Sequence, residues 1–331
     1  MNKSFYFCKR LAIQSGIALI SALLVIILIT SLLSVLYSSQ INKISSIENN
    51  STIVQSRWLM YALIDGIRYL LQDDYIKGKP VDHLGEIWAL PVSDSNLDIL
   101  LKKNQLVDTS LDTKNIFISY KIEDAQGRFN LANLAGYDDQ SNAKATKSRI
   151  VFKLLISKLG VDQRIEGILA DKIKYLNKKT NDSTGKTFVK DITVTEAELM
   201  RNLNVNDIKL LEKYVFLLPE QTAININTAD EKVLAALIPD ISPVTLLKLT
   251  ERRQKAPFAN LNDLIEFIRI EQPALEFSID LVGVRSNFFK VYAAIRYGNA
   301  VISQSLFISR KDGRLPITEI IRSENENFKI Y

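Results

Sequence analysis

The chain has 331 residues, 47% of them hydrophobic, with 42 Lys and Arg against 37 Asp and Glu, one His and one Cys. That length and apolar content suit one or two folded domains, and a lone cysteine excludes disulfides within the chain and cysteine-based zinc sites. With Lys3, Lys9 and Arg10 at the head set aside, 39 basic side chains face 37 acidic ones, so the net charge of +5 is mostly an N-terminal feature and says little about nucleic acid.

Lys9 and Arg10 lead through a polar neck to Gly16, and an apolar run from Ile17 to Tyr37 follows, broken only by Ser21, Thr30, Ser31 and Ser34. A helix rising about 1.5 Å per residue crosses a hydrocarbon core of about 30 Å in about 20 residues, so this run spans a bilayer. The basic residues before it keep the amino end cytoplasmic and place the rest across the membrane. A secretory signal fits less well, because its apolar region is about 7 to 15 residues and ends in a small-x-small site, for which only Ser38 and Ser39 offer themselves. A plain single-pass anchor is the other reading. Cys8 lies on the wrong side of the apolar run for a lipoprotein acceptor. The Gly16–Ile17 junction resembles the type III leader of the type IV pilin family. That resemblance implies cleavage by prepilin peptidase after Gly16 and an N-methylated Ile17 as the new terminus. The fifth mature residue, Glu in most of that family, is Ser21. A carboxylate in hydrocarbon costs at least about 2.5 kcal/mol unless paired, and the member that lacks it is the large minor pseudopilin K of type II secretion, thought to occupy the tip.

From Ser38 to Gln72 there is no Pro and only Gly66. Ile41, Ile44, Ile47, Val54, Trp58 and Tyr61 recur mostly at three- and four-residue steps, which predicts an amphipathic continuation of the membrane helix. In pilin-like subunits such a helix is the spine. Its apolar stripe is expected beneath the subunit's own sheet, and packing on neighbouring spines is the functional reading. A loop follows from Lys77 to Val92, holding Gly78, Pro80, His83, Gly85 and Pro91. With no second His and no Cys or Ser arrangement near it, His83 is not expected to serve a metal or a catalytic triad. Ile116 to Ile122 alternates as a strand and runs past Asp124 into Gln126-Gly127-Arg128-Phe129-Asn130-Leu131-Ala132-Asn133-Leu134. Gly127 permits a turn, Phe129, Leu131 and Leu134 suit a core, and Asn130 and Asn133 suit unpaired loop backbone, so the stretch reads as a structural corner.

Helical patterns dominate from Ala143 to Asp280: Lys147–Leu159 closed by Gly160, Gln163–Asn177, Thr195–Leu203, Asn206–Leu217, Asp230–Leu237, Pro243–Arg253 and Leu261–Ile268. Thr195 with Glu198, and Thr228 with Glu231, have capping-box spacing. These helices predict a compact all-helical domain inserted between the first strand and the later ones, Asn287–Tyr297 and Ala300–Arg310, which turn at Gly298-Asn299. Pro316–Arg322 supplies a further strand.

Ile224-Asn225-Ile226-Asn227-Thr228-Ala229, with the helices after it, resembles helix-hairpin-helix modules, including those of membrane-anchored competence DNA receptors. DNA-binding forms use a Gly-Ile-Gly hairpin whose N–H groups approach a phosphate. Here the hairpin is Pro239-Asp240-Ile241-Ser242-Pro243, without glycine, with one N–H missing and an added negative charge. Arg252, Arg253 and Lys255 read as a solvated basic face. No Walker loop, H-E-x-x-H, G-x-S-x-G or paired-Cys motif occurs, so no catalytic residue is expected.

Over nearly the full chain the sequence resembles general secretion pathway protein K, the K-type minor pseudopilin family. The matching residues are Gln55–Leu71, Glu86 and Trp88, then Gln126, Gly127, Arg128, Asn130 and Asn133, and Asn225, Asn227 and Thr228. The resemblance implies an α+β pilin-like fold, a long N-terminal spine helix on an antiparallel sheet, with a helical insertion of sterile-alpha-motif-like or helix-hairpin-helix-like repeats. The implied divisions are a leader at 1–16, a membrane helix at 17–37, a spine extension at 38–72, a core at 73–142 with 287–331, and the insertion at 143–286. It also implies I- and J-type partners with H as a further one, prepilin peptidase, an inner-membrane assembly platform, no nucleic acid, and a single-pass inner-membrane protein with a periplasmic bulk. The family's calcium-binding run is matched by Asp171-Lys172-Ile173-Lys174, where lysines replace acids, so no cofactor is expected; a degenerate calcium site would draw on Asp138, Asp139 or Asp182. A competence-type DNA-binding protein and a type IV pilus minor pilin are the alternatives.

Overall fold

The structure is a computed structural model and describes residues 5–77, 81–103, 113–135, 143–180, 196–298, 300–311 and 317–325. Helix α1 (Phe5–Lys77) runs unbroken for 73 residues, through Gly16, Ile17 and the apolar run into the extramembrane half. Freedom from proline allows that length. From Leu19 to Tyr37 its large apolar side chains are all exposed, and among the described residues it is the one helix long and apolar enough to cross a membrane.

After a 3-10 turn at Ile87–Ala89, a short strand β1 (Val92–Asn96) and helix α2 (Leu97–Lys103) precede β2 (Ile116–Asp124). The corner then supplies β3 (Phe129–Asn130), followed by a 3-10 turn at Leu131–Leu134. Helices α3 (Ala143–Leu159), α4 (Arg164–Thr180), α5 (Glu196–Met200) and α6 (Val205–Leu211) follow, then strands β4 (Val215–Phe216) and β5 (Ile224–Asn225). Helices α7 (Glu231–Leu237), α8 (Pro243–Lys255) and α9 (Leu261–Glu271) lead to β6 (Val282–Gly283), β7 (Phe288–Tyr297), β8 (Ala300–Lys311) and β9 (Ile317–Asn325).

One antiparallel sheet runs β1-β2-β7-β8-β9. Its central neighbours β2 and β7 pair from Ile116 with Tyr297 to Asp124 with Phe289, although the whole helical unit lies between them in sequence. Tyr297 pairs with Ala300 across a two-residue turn in which Gly298 takes φ +57°, the left-handed region that favours glycine. Alternation sends Ile116, Ile118 and Ile122 of β2, Phe289, Val291, Ala293 and Ile295 of β7, and Leu306 and Ile308 of β8 into a core with Met60, Ile64, Ile67 and Leu71 of α1. Trp88 fills the same core, edge-on to Phe289 at 5.2 Å.

A second core belongs to the helical unit, where Phe152, Leu155 and Ile156 of α3 meet Leu169 and Ile173 of α4, Val233, Leu234 and Leu237 of α7, and Phe258. Phe129, Leu131 and Leu134 of the corner pack here too, with Phe129 stacked on Phe152 at 4.9 Å, so this core reaches upstream of residue 143.

Several expectations are corrected. The inserted unit is not wholly helical, because β3 pairs in parallel with β4 and β5 with β6. The helix expected over Asn206–Leu217 stops at Leu211, since the backbone at 214–216 turns to pair with the corner and the Tyr214 carbonyl accepts the Phe129 N–H. Asp230, not Thr228, caps α7, accepting the Lys232 N–H, because the Thr228 hydroxyl is engaged elsewhere. Thr195 lies outside the described residues. Strand β1 begins where the expected loop ends, at Val92, and was not anticipated; its Val-Ser-Asp-Ser-Asn sequence has little strand propensity, and the structure fixes it from outside through Ser119, which accepts the Asp94 N–H, and the Lys114 carbonyl, which accepts the Asn96 amide.

Candidate functional site

The extramembrane half of α1 has two apolar faces. Ser56, Met60, Ile64, Ile67 and Leu71, at helical spacing, lie on the buried face, and each large apolar member is worth about 1.5 to 3 kcal/mol on burial. The residues picked from the sequence lie elsewhere: Ile41, Ile44, Ile47, Val54, Trp58 and Tyr61 are all exposed, Trp58 at 69%. The expectation that the subunit's own sheet covers this stripe is therefore corrected. The sheet selects the other face, and the exposed one ends in an edge-on Trp58–Tyr61 pair 6.0 Å apart. Ser21 is exposed on the apolar half, and Gly16 and Ile17 lie within the helical backbone.

Below the spine's end, the motif residues converge on one junction. Glu86 accepts the Trp88 indole N–H at 2.6 Å and the His83 backbone N–H at 3.1 Å, which locks the loop so that Trp88 stays in the core. Asn130 donates to the Glu220 carbonyl and Thr222 hydroxyl and accepts the Ala132 and Leu218 N–H groups, while Asn133 pairs with both backbone groups of Thr222. Gln126 donates to the Ala223 carbonyl and accepts the Asn287 N–H, which ties the corner to both linkers of the helical unit. Arg128 donates to Glu123 and to the Glu212 carbonyl and lies 4.2 Å over the Phe216 ring. Gly127 leaves no room for a side chain, since a Cβ there would stand 2.9 Å from the Thr228 hydroxyl. Asn227 pairs with both backbone groups of Phe258. Asn225 donates to the Asp82 carbonyl, the Asp124 carboxylate and the Ser286 hydroxyl.

Sequence reasoning missed the charged centre of this junction. Arg310 is 1% exposed and donates to Asp82 at 2.5 Å, to the Ser286 carbonyl at 2.7 Å and to the Leu71 carbonyl at 3.3 Å, with Asp74 3.6 Å away. Asp124, also buried, accepts from Ser286, Thr228 and Asn225 and from the Gln126 N–H. Burial pushes Asp74 and Asp124 each up to about 6 and also raises Glu86. A signal was present: Arg310 shares the inward phase of Leu306 and Ile308, and a charge at that phase calls for a buried partner. Asp74, Asp82 and Glu86 bring carboxylate oxygens within 4.8 Å of one another, but Arg310 already supplies the cation, and both Asp82 oxygens are taken, by Arg310 and the Ser286 N–H. His83 accepts the Gly85 N–H through Nδ1, with Nε2 3.7 Å from Glu86. Asp138, Asp139 and Asp182 lie outside the described residues.

The hairpin that would cradle a phosphate is closed. Asp240 sits at φ +62°, the Ser242 N–H is taken by the Gln272 side chain, and Ser242 caps α8 by accepting the Thr245 N–H. The solvated basic face is corrected as well. Arg252 pairs with Asp263, and Arg253 donates to the Ile226 and Ala229 carbonyls, its ionised form disfavoured by burial. Helix packing has spent two of those three cations.

Three comparisons bear on this arrangement. A profile of the family "Type II secretion system (T2SS), protein K" matches residues 224–284, from β5 to β6 and its edge. The chain is 27% identical to type II secretion system protein K of Pseudomonas aeruginosa, over 92% of this chain and 91% of that protein. Its fold is similar to a chain of the crystal structure of the GspK–GspI–GspJ complex from the enterotoxigenic Escherichia coli type 2 secretion system, with a TM-score of 0.59 and 17% identity, covering 85% of this chain and 99% of that one.

Proposed function

We infer that this chain, a member of the type II secretion system protein K family, works as a minor pseudopilin whose spine helix docks against the spines of I- and J-type pseudopilins to start the fibre. The observation that carries the reading is the exposed apolar stripe of α1 from Ile41 to Tyr61, whose Val54–Tyr61 part lies opposite a face already spent on the subunit's own sheet. A large exposed apolar patch marks an interaction surface. The helical unit, added to the sheet as a bulky insertion, suits a subunit above which no other stacks, and so a place at the tip.

Prepilin peptidase removes residues 1–16 and frees Ile17; the remaining chain sits once in the inner membrane, amino end cytoplasmic and bulk periplasmic, where an assembly platform raises it. An H-type subunit is the further partner. The part played is mechanical rather than catalytic and needs no calcium, so a chelator leaves the unfolding midpoint unchanged. Two measurements test the proposal. The mature amino terminus is expected at Ile17 by mass, and the chain is expected to co-purify stoichiometrically with I- and J-type pseudopilins. A mature form that begins at Met1, or a failure to co-purify, overturns it.

A further inference from the structure

The junction beneath the spine holds more negative charge than its packing needs. Asp74 from the end of α1 and Asp82 and Glu86 from the following loop surround a single buried guanidinium, Arg310 of β8, and Asp124 from the end of β2 joins them through Ser286. Ser286 and Asn225 bind both halves: the Ser286 N–H reaches Asp82 and its hydroxyl reaches Asp124, while the Asn225 amide reaches the Asp82 carbonyl and Asp124. Charged neighbours come from every element packed there. Asp74 faces Arg310, Asp82, His83 and Glu86; Asp124 faces Asp82; Arg285 and Arg310 lie over the Tyr75 ring at 4.1 and 5.1 Å; and Asp73 is engaged by Lys77. Arg310, 3.6 Å away, and His83 offset the charge of Asp74, against the nearby Asp82 and Glu86. Like charges held together out of water favour sharing a proton.

We propose that this junction is a proton-operated clasp, in which uptake of a proton among Asp74, Glu86 and Asp124 tightens the joint between the spine's end, the sheet and the inserted helical unit, and its release loosens the joint. The sign follows from linkage. Burial holds Asp74 and Asp124 up near 6 in the fold against an ordinary value of 3.8, so their protonated forms favour the folded state. That stabilisation is complete below 3.8 and is lost as pH rises through about 6. The clasp is therefore firmer in acid than near pH 8, and the spine and helical unit loosen together because Arg310 links Asp74 and the Leu71 carbonyl to Asp82, while Ser286 links the Asp82 and Asp124 carboxylates.

The test uses the full chain in detergent micelles. The unfolding midpoint is expected to be higher at about pH 5.5 than at about pH 8, and the double variant Asp74→Asn, Asp124→Asn is expected to lose more than half of that difference. An unchanged difference in the double variant overturns the proposal. Should the double variant fail to fold, each single variant is read by infrared spectroscopy, where the wild-type-minus-variant difference is expected to show a protonated carboxyl stretch in mild acid that disappears at the higher pH. Its absence from both differences overturns the clasp. Hydrogen exchange, corrected for its intrinsic pH dependence, is expected to slow in acid chiefly at residues 71–77, 81–90 and 223–228, and an equal change throughout the chain speaks against it.

Discussion

Replacing Arg310 with Met tests the junction most directly. Methionine keeps much of the stem's volume, so the loss falls on the guanidinium: its 2.5 Å contact with Asp82, its bonds to the Ser286 and Leu71 carbonyls, and its approach to Asp74. Asp82, whose side chain is 3% exposed, loses its cation and keeps only the Ser286 N–H among these partners. Breaking a buried ion pair from one side costs about 3 to 5 kcal/mol, a large share of a typical total of about 5 to 15. At about 2 to 4 °C per kcal/mol for a domain of this size, the unfolding midpoint should fall by roughly 6 to 20 °C. Calorimetry of the full chain in micelles measures the fall, and adding Asp82→Asn to Arg310→Met should restore part of it by removing the stranded charge. A loss under about 1 kcal/mol, or a double variant less stable than the sum of the single ones, would refute the reasoning.

Other substitutions address the corner and the spine. Gly127→Ala places a methyl 2.9 Å from the Thr228 hydroxyl and 3.2 Å from its carbonyl atoms, so it should displace Thr228 from Asp124 and cost about 1 to 3 kcal/mol in thermal unfolding. Asn130→Ala strands the Leu218 and Ala132 N–H groups and the Glu220 carbonyl; a loss of at least about 2 kcal/mol is expected by denaturant titration. Trp58→Ser with Tyr61→Ser should change stability by less than about 0.5 kcal/mol, since both side chains are exposed, yet should abolish co-purification with I- and J-type subunits. Undiminished co-purification would remove Trp58 and Tyr61 from the proposed contact.

What the sequence made legible was local. The long helix follows from an apolar run without proline, and β2, β7 and β8 from alternation in runs such as Ile116–Ile122, because these patterns need no distant partner. The asparagines of the corner were readable as backbone partners, though not which backbone: Asn130 serves residues 218–222, some ninety positions away. Harder still was the face of α1 that the sheet covers, since two apolar stripes compete and only tertiary contact chooses Met60 and Ile64 over Trp58 and Tyr61. The junction stayed hidden for the same reason. Arg310 and Asp82 stand 228 residues apart, and nothing near either one announces the other.

The helical unit departs at Asp124 and returns at Phe288, and these two points lie at the same end of adjacent strands in mid-sheet. The unit is hung like a pennant from a single hinge line. A short turn joining β2 to β7 would therefore close the sheet around the spine with its register intact, so that pennant can be enlarged, trimmed or exchanged without disturbing the rod or the strands that hold it.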